Sequence, residues 1–164
     1  MSSSDTSKSF SIQLANRIKE VVLNGKWVAN TNLQDALEDV SLEEAQKAMG
    51  NHNTIAALTF HIQYYISGVL NVFEGGQLEI RDKYSFDMPV MTSEEEWQSL
   101  KSKLFTNTEL FASHVASMDQ QQLGQPFVDE KYGTYQRNIE GMIEHCYYHL
   151  GQIVLIRKML NPSA

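Results

Sequence analysis

Residues 138–160 read NIEGMIEHCYYHLGQIVLIRKML. Ile139, Met142, Cys146, Ile153 and Ile156 recur at helical spacing, and Ile143, Leu150 and Val154 widen the apolar surface. A helix this broadly apolar has to be covered by several neighbours. Asn161-Pro162 supplies its stop. Inside it, His145 and His149 are four residues apart, which stacks them on one helical face. Two imidazoles placed this way can bind one divalent ion with little rearrangement.

Working outward, three further helical stretches emerge. Phe10, Leu14, Ile18 and Val21 mark a helix over about residues 7–23, with Gly25 as its stop. Trp27, Leu33, Leu37 and Val40 suggest a partly buried connection, and Ser41 with Glu44 has the capping-box spacing of a short helix. A second long helix covers about 54–74, capped by Asn53 and ended by Gly75-Gly76, with Ile55, Leu58, Ile62, Tyr65, Val69 and Phe73 as its ladder. A loop with Pro89 follows over 77–92. A third helix starts at Thr92 or Ser93, where Glu94, Glu95 and Glu96 suit its positive end. Its buried stripe is Trp97, Leu100, Leu104, Phe111, Val115 and Met118. A loop over 119–136 carries Pro126 and Gly133, and the last helix begins near Asn138. No stretch sustains strand alternation. The fold class is therefore all-α, a four-helix bundle of one domain over residues 8–164, behind a serine-rich tail at 1–7.

Composition narrows the function. The chain has 164 residues and a formal net charge of −7. Nucleic-acid binding needs a basic face to neutralise phosphates, so no nucleic-acid partner is expected. No run approaches the roughly 20 apolar residues that span a bilayer, and residues 1–10 lack the pattern of a secretory signal. Cys146 is the single cysteine, so no intrachain disulfide forms and a cytoplasmic location is expected. It points about 100° away from His145 around the helix and reads as a small buried residue.

The chain has five histidines. On an apolar face, an unpaired ring nitrogen costs about 1–3 kcal/mol, which coordination or a hydrogen bond must relieve. His61, one turn from Leu58 and from Tyr65, is a candidate third ligand, and His114, one turn from Phe111 and Met118, competes with it. His52 precedes its helix and reads as a cap or a solvent-facing residue. The bland alternative is a set of core histidines bonded to Tyr64, Tyr65, Tyr147, Tyr148 or backbone. Gly68, Gly141 and Gly151 fall inside helices at a cost near 1 kcal/mol each, which suggests close helix approach, or access to the site at Gly151.

HCYYHLGQIVLIRKML (145–160) resembles the last helix of DinB-like proteins, the damage-inducible four-helix-bundle superfamily, with His145, His149, Gly151, Gln152 and Ile153 on its His-x-x-x-His and Gly-Gln-Ile positions. NTIAALTFHIQYYISGVLNVFEG (53–75) is similar to that family's second helix, whose histidine matches His61. TNLQDALEDVSLEEAQKAM (31–49) is similar to the connection before it. The resemblance implies a bundle with a long crossover and a homodimer. It implies a three-histidine site of His61, His145 and His149 for a divalent ion, often nickel or zinc. It also implies, for some members, transfer of a low-molecular-weight thiol to an electrophilic small molecule. Fold alone does not choose a substrate.

Two functions follow from such a site. The first is a metal-dependent enzyme, a thiol S-transferase or a hydrolase, in which Gln152 and Tyr148 are candidates to orient ligands. Glu140 and Glu144 read as solvated surface charges rather than general bases. The second is a non-catalytic binding or stress-response protein whose metal staples two helices; a closed site with no open position would favour it.

Overall fold

The computed structural model describes residues 3–161, with side chains from Phe10 onward. Its helices are α1 (Ser3–Lys19), α2 (Leu33–Leu37), α3 (Leu42–Gln46), α4 (Ile55–Phe73), α5 (Glu94–Ser117), α6 (Gln120–Gly124) and α7 (Tyr135–Leu160). Among the described residues there is no strand, only an isolated antiparallel bridge between Pro126 and Thr134. The chain is thus an all-α bundle of four long helices, as its periodicities predict. Helical backbone reaches back to Ser3, into the stretch read as a tail; Met1 and Ser2 lie outside the described residues, as does Pro162 of the C-terminal stop.

The long helices pack in a ring, α1 between α5 and α7, and α4 between the same two. Their directions follow from cross-helix pairs. Lys19 meets Glu109 at 2.6 Å and the Ser11 hydroxyl reaches the Ala116 carbonyl at 3.4 Å, so α1 and α5 are antiparallel. Phe73 at the end of α4 packs on Phe111 near the end of α5, with ring centres 4.9 Å apart, so α4 and α5 are parallel. The same Phe73 stacks on Tyr135 at the start of α7, which makes α4 and α7 antiparallel. Residues 74–93 must therefore travel back along α4, about 28 Å at 1.5 Å per residue, before α5 begins. This is the long crossover, and its return path carries it past His61.

Local chemistry sets the ends of the helices. The last turn of α1 widens over Glu20–Asn24, and the Gly25 N–H closes it onto the Glu20 carbonyl at 3.1 Å. A Cβ at Gly25 would lie 2.6 Å from Glu20 Cα, so the stop requires glycine for close approach, with an ordinary φ of −94°. At the start of α4 the cap is Thr54, whose hydroxyl accepts the Ala57 N–H, rather than Asn53. Ser93 and Glu96 form a full capping box on α5. Ser41 caps α3, but Glu44 turns away to accept from Asn161 at 2.6 Å. α7 begins three residues before the expected Asn138, because the Thr134 hydroxyl accepts the Arg137 N–H.

The connection over 25–54 is half as expected. Leu33, Leu37 and Val40 are fully buried, whereas Trp27 is 90% exposed. Asn32 explains the split. Its side chain accepts the Asp35 N–H, capping α2, and donates to the Gly25 carbonyl at 3.1 Å. That bond pinches residues 26–31 out into a turn, with Asn30 at φ +57°, and Trp27 goes with them. Gly68 does serve a close approach: a Cβ there would lie 2.7 Å from Ile80 Cδ1 on the crossover. Gly141 and Gly151 serve none, since a Cβ would meet only the tip of Arg137 at the first and open space at the second.

Candidate metal centre

α4 and α7, antiparallel neighbours, bring His61, His145 and His149 to one point. His145 Nε2 lies 3.0 Å from His61 Nε2 and 2.9 Å from His149 Nε2. The four-residue spacing on α7 sets two of the rings edge to face, with centres 4.5 Å apart, and the placement of His61 next to Leu58 and Ile62 turns the third inward. His61 and His149 are 7% and 6% exposed. His114 stands apart, on α5, 3.9 Å from Glu74 and half-exposed. His52 is exposed and caps nothing, since Thr54 holds that position.

The outer nitrogens decide the protonation of the rings. His61 Nδ1 lies 3.2 Å from the Ser85 carbonyl, and His149 Nδ1 lies 2.6 Å from Gln152 Oε1. A carbonyl oxygen only accepts, so both rings carry their proton on Nδ1 and present a bare lone pair at Nε2. His145 Nε2 faces both and can donate to one at most. At least one of the two short contacts then joins lone pairs with no proton between them, an arrangement that a cation relieves. Nitrogens 2.9–3.0 Å apart are also close enough for one ion to reach each pair with bonds of about 2.1 Å. The residues fit a divalent ion.

Electrostatics favour the same state. Burial, then the neighbouring His149, lowers the pKa of His61. Burial, then His149 and His61, lowers that of His145 to about 4. Burial lowers that of His149 against the raising effect of its bond to Gln152. Ligating imidazole must be neutral, and these rings are neutral at pH 7. The unfolded chain takes up protons at the ordinary histidine value of 6.5, the folded metal-free protein only at lower pH. The contribution of these three rings to the stability of the metal-free protein is therefore full above about pH 6.5 and is lost as pH drops toward 4. Its urea midpoint is expected to be lower at pH 5 than at pH 7, with a smaller drop in His145→Ala.

The crossover and Tyr65 of α4 brace the site; the sequence offered Tyr65 only as a hydrogen-bond partner of core histidines and did not single out Ser85, Phe86 or Asp82. Ser85, 3% exposed, supplies the carbonyl to His61. Phe86 stacks on the His61 ring at 4.1 Å and 13°. Tyr65 sets its ring edge-on to both His61 and His145, at 5.0 and 5.2 Å, and donates its hydroxyl to Asp82 at 2.8 Å. Only Tyr65 left a signal, its place one turn after His61. Of the residues proposed to orient ligands, Gln152 acts on His149, whereas Tyr148 is 65% exposed and covers the ring's outer edge. Glu144 is exposed and accepts from Arg137, whereas Glu140 is half-buried and accepts from Gln136. Cys146 is fully buried, with its thiol pushed up to about 12, which leaves no thiolate to ligate or attack.

Gln152 is the sharpest test of this bracing. Losing its acceptor frees the His149 tautomer, and such outer partners are worth about 10–100-fold in metal affinity. Gln152→Ala is expected to weaken zinc binding by that range, and Gln152→Glu, which keeps the acceptor, to retain it. Competition titrations with a chromophoric chelator measure both.

One side of the centre is open. A cleft of about 730 Å³ begins at His61, Tyr65 and His145 and runs between α4, the start of α7 and the crossover. No helix among the described residues is long and apolar enough to cross a membrane. No curated protein and no solved structure matches the chain. A family model described as the DinB superfamily matches residues 28–153, a span that takes in all three histidines, the crossover and the cleft. By that match, and by a helical bundle with a three-histidine cluster that can hold a metal ion, the chain belongs to the DinB superfamily.

Proposed function

We propose that His61, His145 and His149 bind one divalent ion, zinc or nickel, and that the protein uses it to join a low-molecular-weight thiol to an electrophilic small molecule. The observation that carries the metal assignment is the pair of Nε2 lone pairs fixed on one point by Ser85 and Gln152. A bound divalent ion supplies Lewis acidity, which lowers the pKa of a thiol or water held beside it. The chain's own residues do the rest. Ser85 and Gln152 hold the Nδ1 protons and so aim the ligating atoms. Phe86 and Tyr65 pack against the rings and fix their planes. The cleft beside His145 leaves room for reactants, which supports catalysis over a metal that merely staples α4 to α7.

The test compares zinc-loaded with chelator-stripped protein. A panel of small thiols is offered 1-chloro-2,4-dinitrobenzene, and the thioether product is followed by absorbance. Zinc-dependent product formation is expected. Hydrolysis of activated esters by the zinc form, with no thioether from any thiol, would instead assign the site to a hydrolase.

A further inference from the structure

Beyond the histidines, the cleft carries a charge opposite to that of the whole chain. The protein has a formal net charge of −7, yet the charged residues lining the cleft, apart from its histidines, are Arg81, Arg137 and Asp82. Asp82 already accepts from Tyr65. Arg81 makes no ion pair among the described residues, although its backbone is held on both sides: its N–H donates to the Tyr64 hydroxyl at 2.8 Å, and that hydroxyl donates back to its carbonyl at 3.1 Å. Arg137 is fixed in the first turn of α7 and spends one guanidinium nitrogen on the exposed Glu144 at 3.2 Å. Two arginines on anchored backbones thus line one cleft, with guanidinium donors to spare. The rest of the lining includes Val69, Leu78, Ile80, Phe127 and Met142, which give the cleft an apolar wall.

We infer that the cleft binds a small organic anion, a carboxylate or a comparable acid with an apolar body, with Arg81 and Arg137 on the acid and the body against the apolar wall, beside the histidine centre. Arginine's planar fork suits a carboxylate, and such charge-assisted bonds are about twice as strong as neutral ones. A volume near 730 Å³ is in the range that encloses a ligand of this size. The inference rests on reading the cleft as the substrate space of the histidine centre. The acid can belong to the thiol or to the electrophile, and the two have the same recognition chemistry.

The experiment uses the zinc-loaded full chain and two probes of equal length, 3-phenylpropionate and 3-phenyl-1-propanol. The side-chain Nε–H signals of Arg81 and Arg137 are followed by nuclear magnetic resonance. The acid is expected to bind about tenfold or more tightly than the alcohol and to shift both signals. The double variant Arg81→Gln/Arg137→Gln is expected to lose that preference, and Arg81→Lys/Arg137→Lys to keep part of it. Both side chains are on the surface, and unchanged circular dichroism and zinc content confirm that fold and centre persist. Equal binding of acid and alcohol, or a preference that survives in the double glutamine variant, overturns the inference; the latter would mean that zinc alone holds the acid. A second pair, 3-mercaptopropionate and 3-mercapto-1-propanol on cobalt-loaded protein, separates the sources. A thiolate-to-cobalt band that favours the acid, and only when the arginines are present, places the acid on the thiol. Equal bands for the two thiols place it on the electrophile. A spectrum that no thiol moves removes the thiol reading of the metal centre and leaves the arginine result standing or falling on the first pair.

Discussion

His145→Ala is expected to weaken divalent metal binding by about a thousandfold. His145 is the middle ring of the three, within 3.0 Å of His61 Nε2 and 2.9 Å of His149 Nε2. Removing it leaves two imidazoles on separate helices, which hold an ion far less well than three. Apparent free energies of about 10–16 kcal/mol for a structural zinc, divided over three or four ligands, give roughly 4 kcal/mol per ligand, or close to a thousandfold. The same substitution is expected to erase the rise in melting temperature that zinc gives the wild type, since a ligand stabilises only the state it binds. Calorimetric titration and thermal unfolding with and without zinc check both. A variant that binds zinc as tightly as wild type would show that His145 is not a ligand.

The second large effect is on stability. Trp97→Ala is expected to cost about 3–5 kcal/mol, at the upper end for a single core truncation. Trp97 is fully buried at the start of α5, and its indole N–H donates to the Val40 carbonyl at 2.7 Å. Four residues on, buried Lys101 donates to the Leu37 carbonyl at 3.0 Å, with its ammonium 5.3 Å from the Trp97 ring. The two side chains fasten the connection carrying α2 and α3 to the bundle. Truncation of Trp97 leaves a cavity, an unpaired buried carbonyl and a lysine without its aromatic neighbour. Urea unfolding should be followed by circular dichroism. The remaining tryptophan, Trp27, is 90% exposed and would report little by fluorescence. A loss under 1 kcal/mol would mean that the connection is held elsewhere.

How much of this was legible in the sequence depends on the range of the interaction. Helical periodicity and capping are local, so four long helices, the Ser41 and Ser93 caps and the Gly25 and Gly75-Gly76 stops could be read directly. The pairing of His145 with His149 was equally local. Choosing His61 over His114 was not, because that choice turns on how α4 and α5 are rotated in the ring, and only the family resemblance decided it. Ser85 and Phe86 lie in a crossover without periodicity, and the contribution of Ser85 is a backbone carbonyl, which no side-chain pattern encodes. Trp27 misled because hydrophobicity alone cannot reveal that Asn32 ties the chain back to Gly25 and leaves the indole outside. Gly141 and Gly151 misled for the opposite reason: a glycine in a helix suggests close packing, and here the space beside each is open or nearly so.

Convergence of three Nε2 atoms on one ion underlies the proposed reaction. Anomalous diffraction from crystals grown with zinc, recorded on both sides of the zinc edge, measures it directly. One dominant peak is expected about 2.1 Å from Nε2 of His61, His145 and His149, with Nδ1 of the outer two still on Ser85 and Gln152. A peak bound to other residues, or one held by the α7 pair alone with His61 turned away, would contradict it.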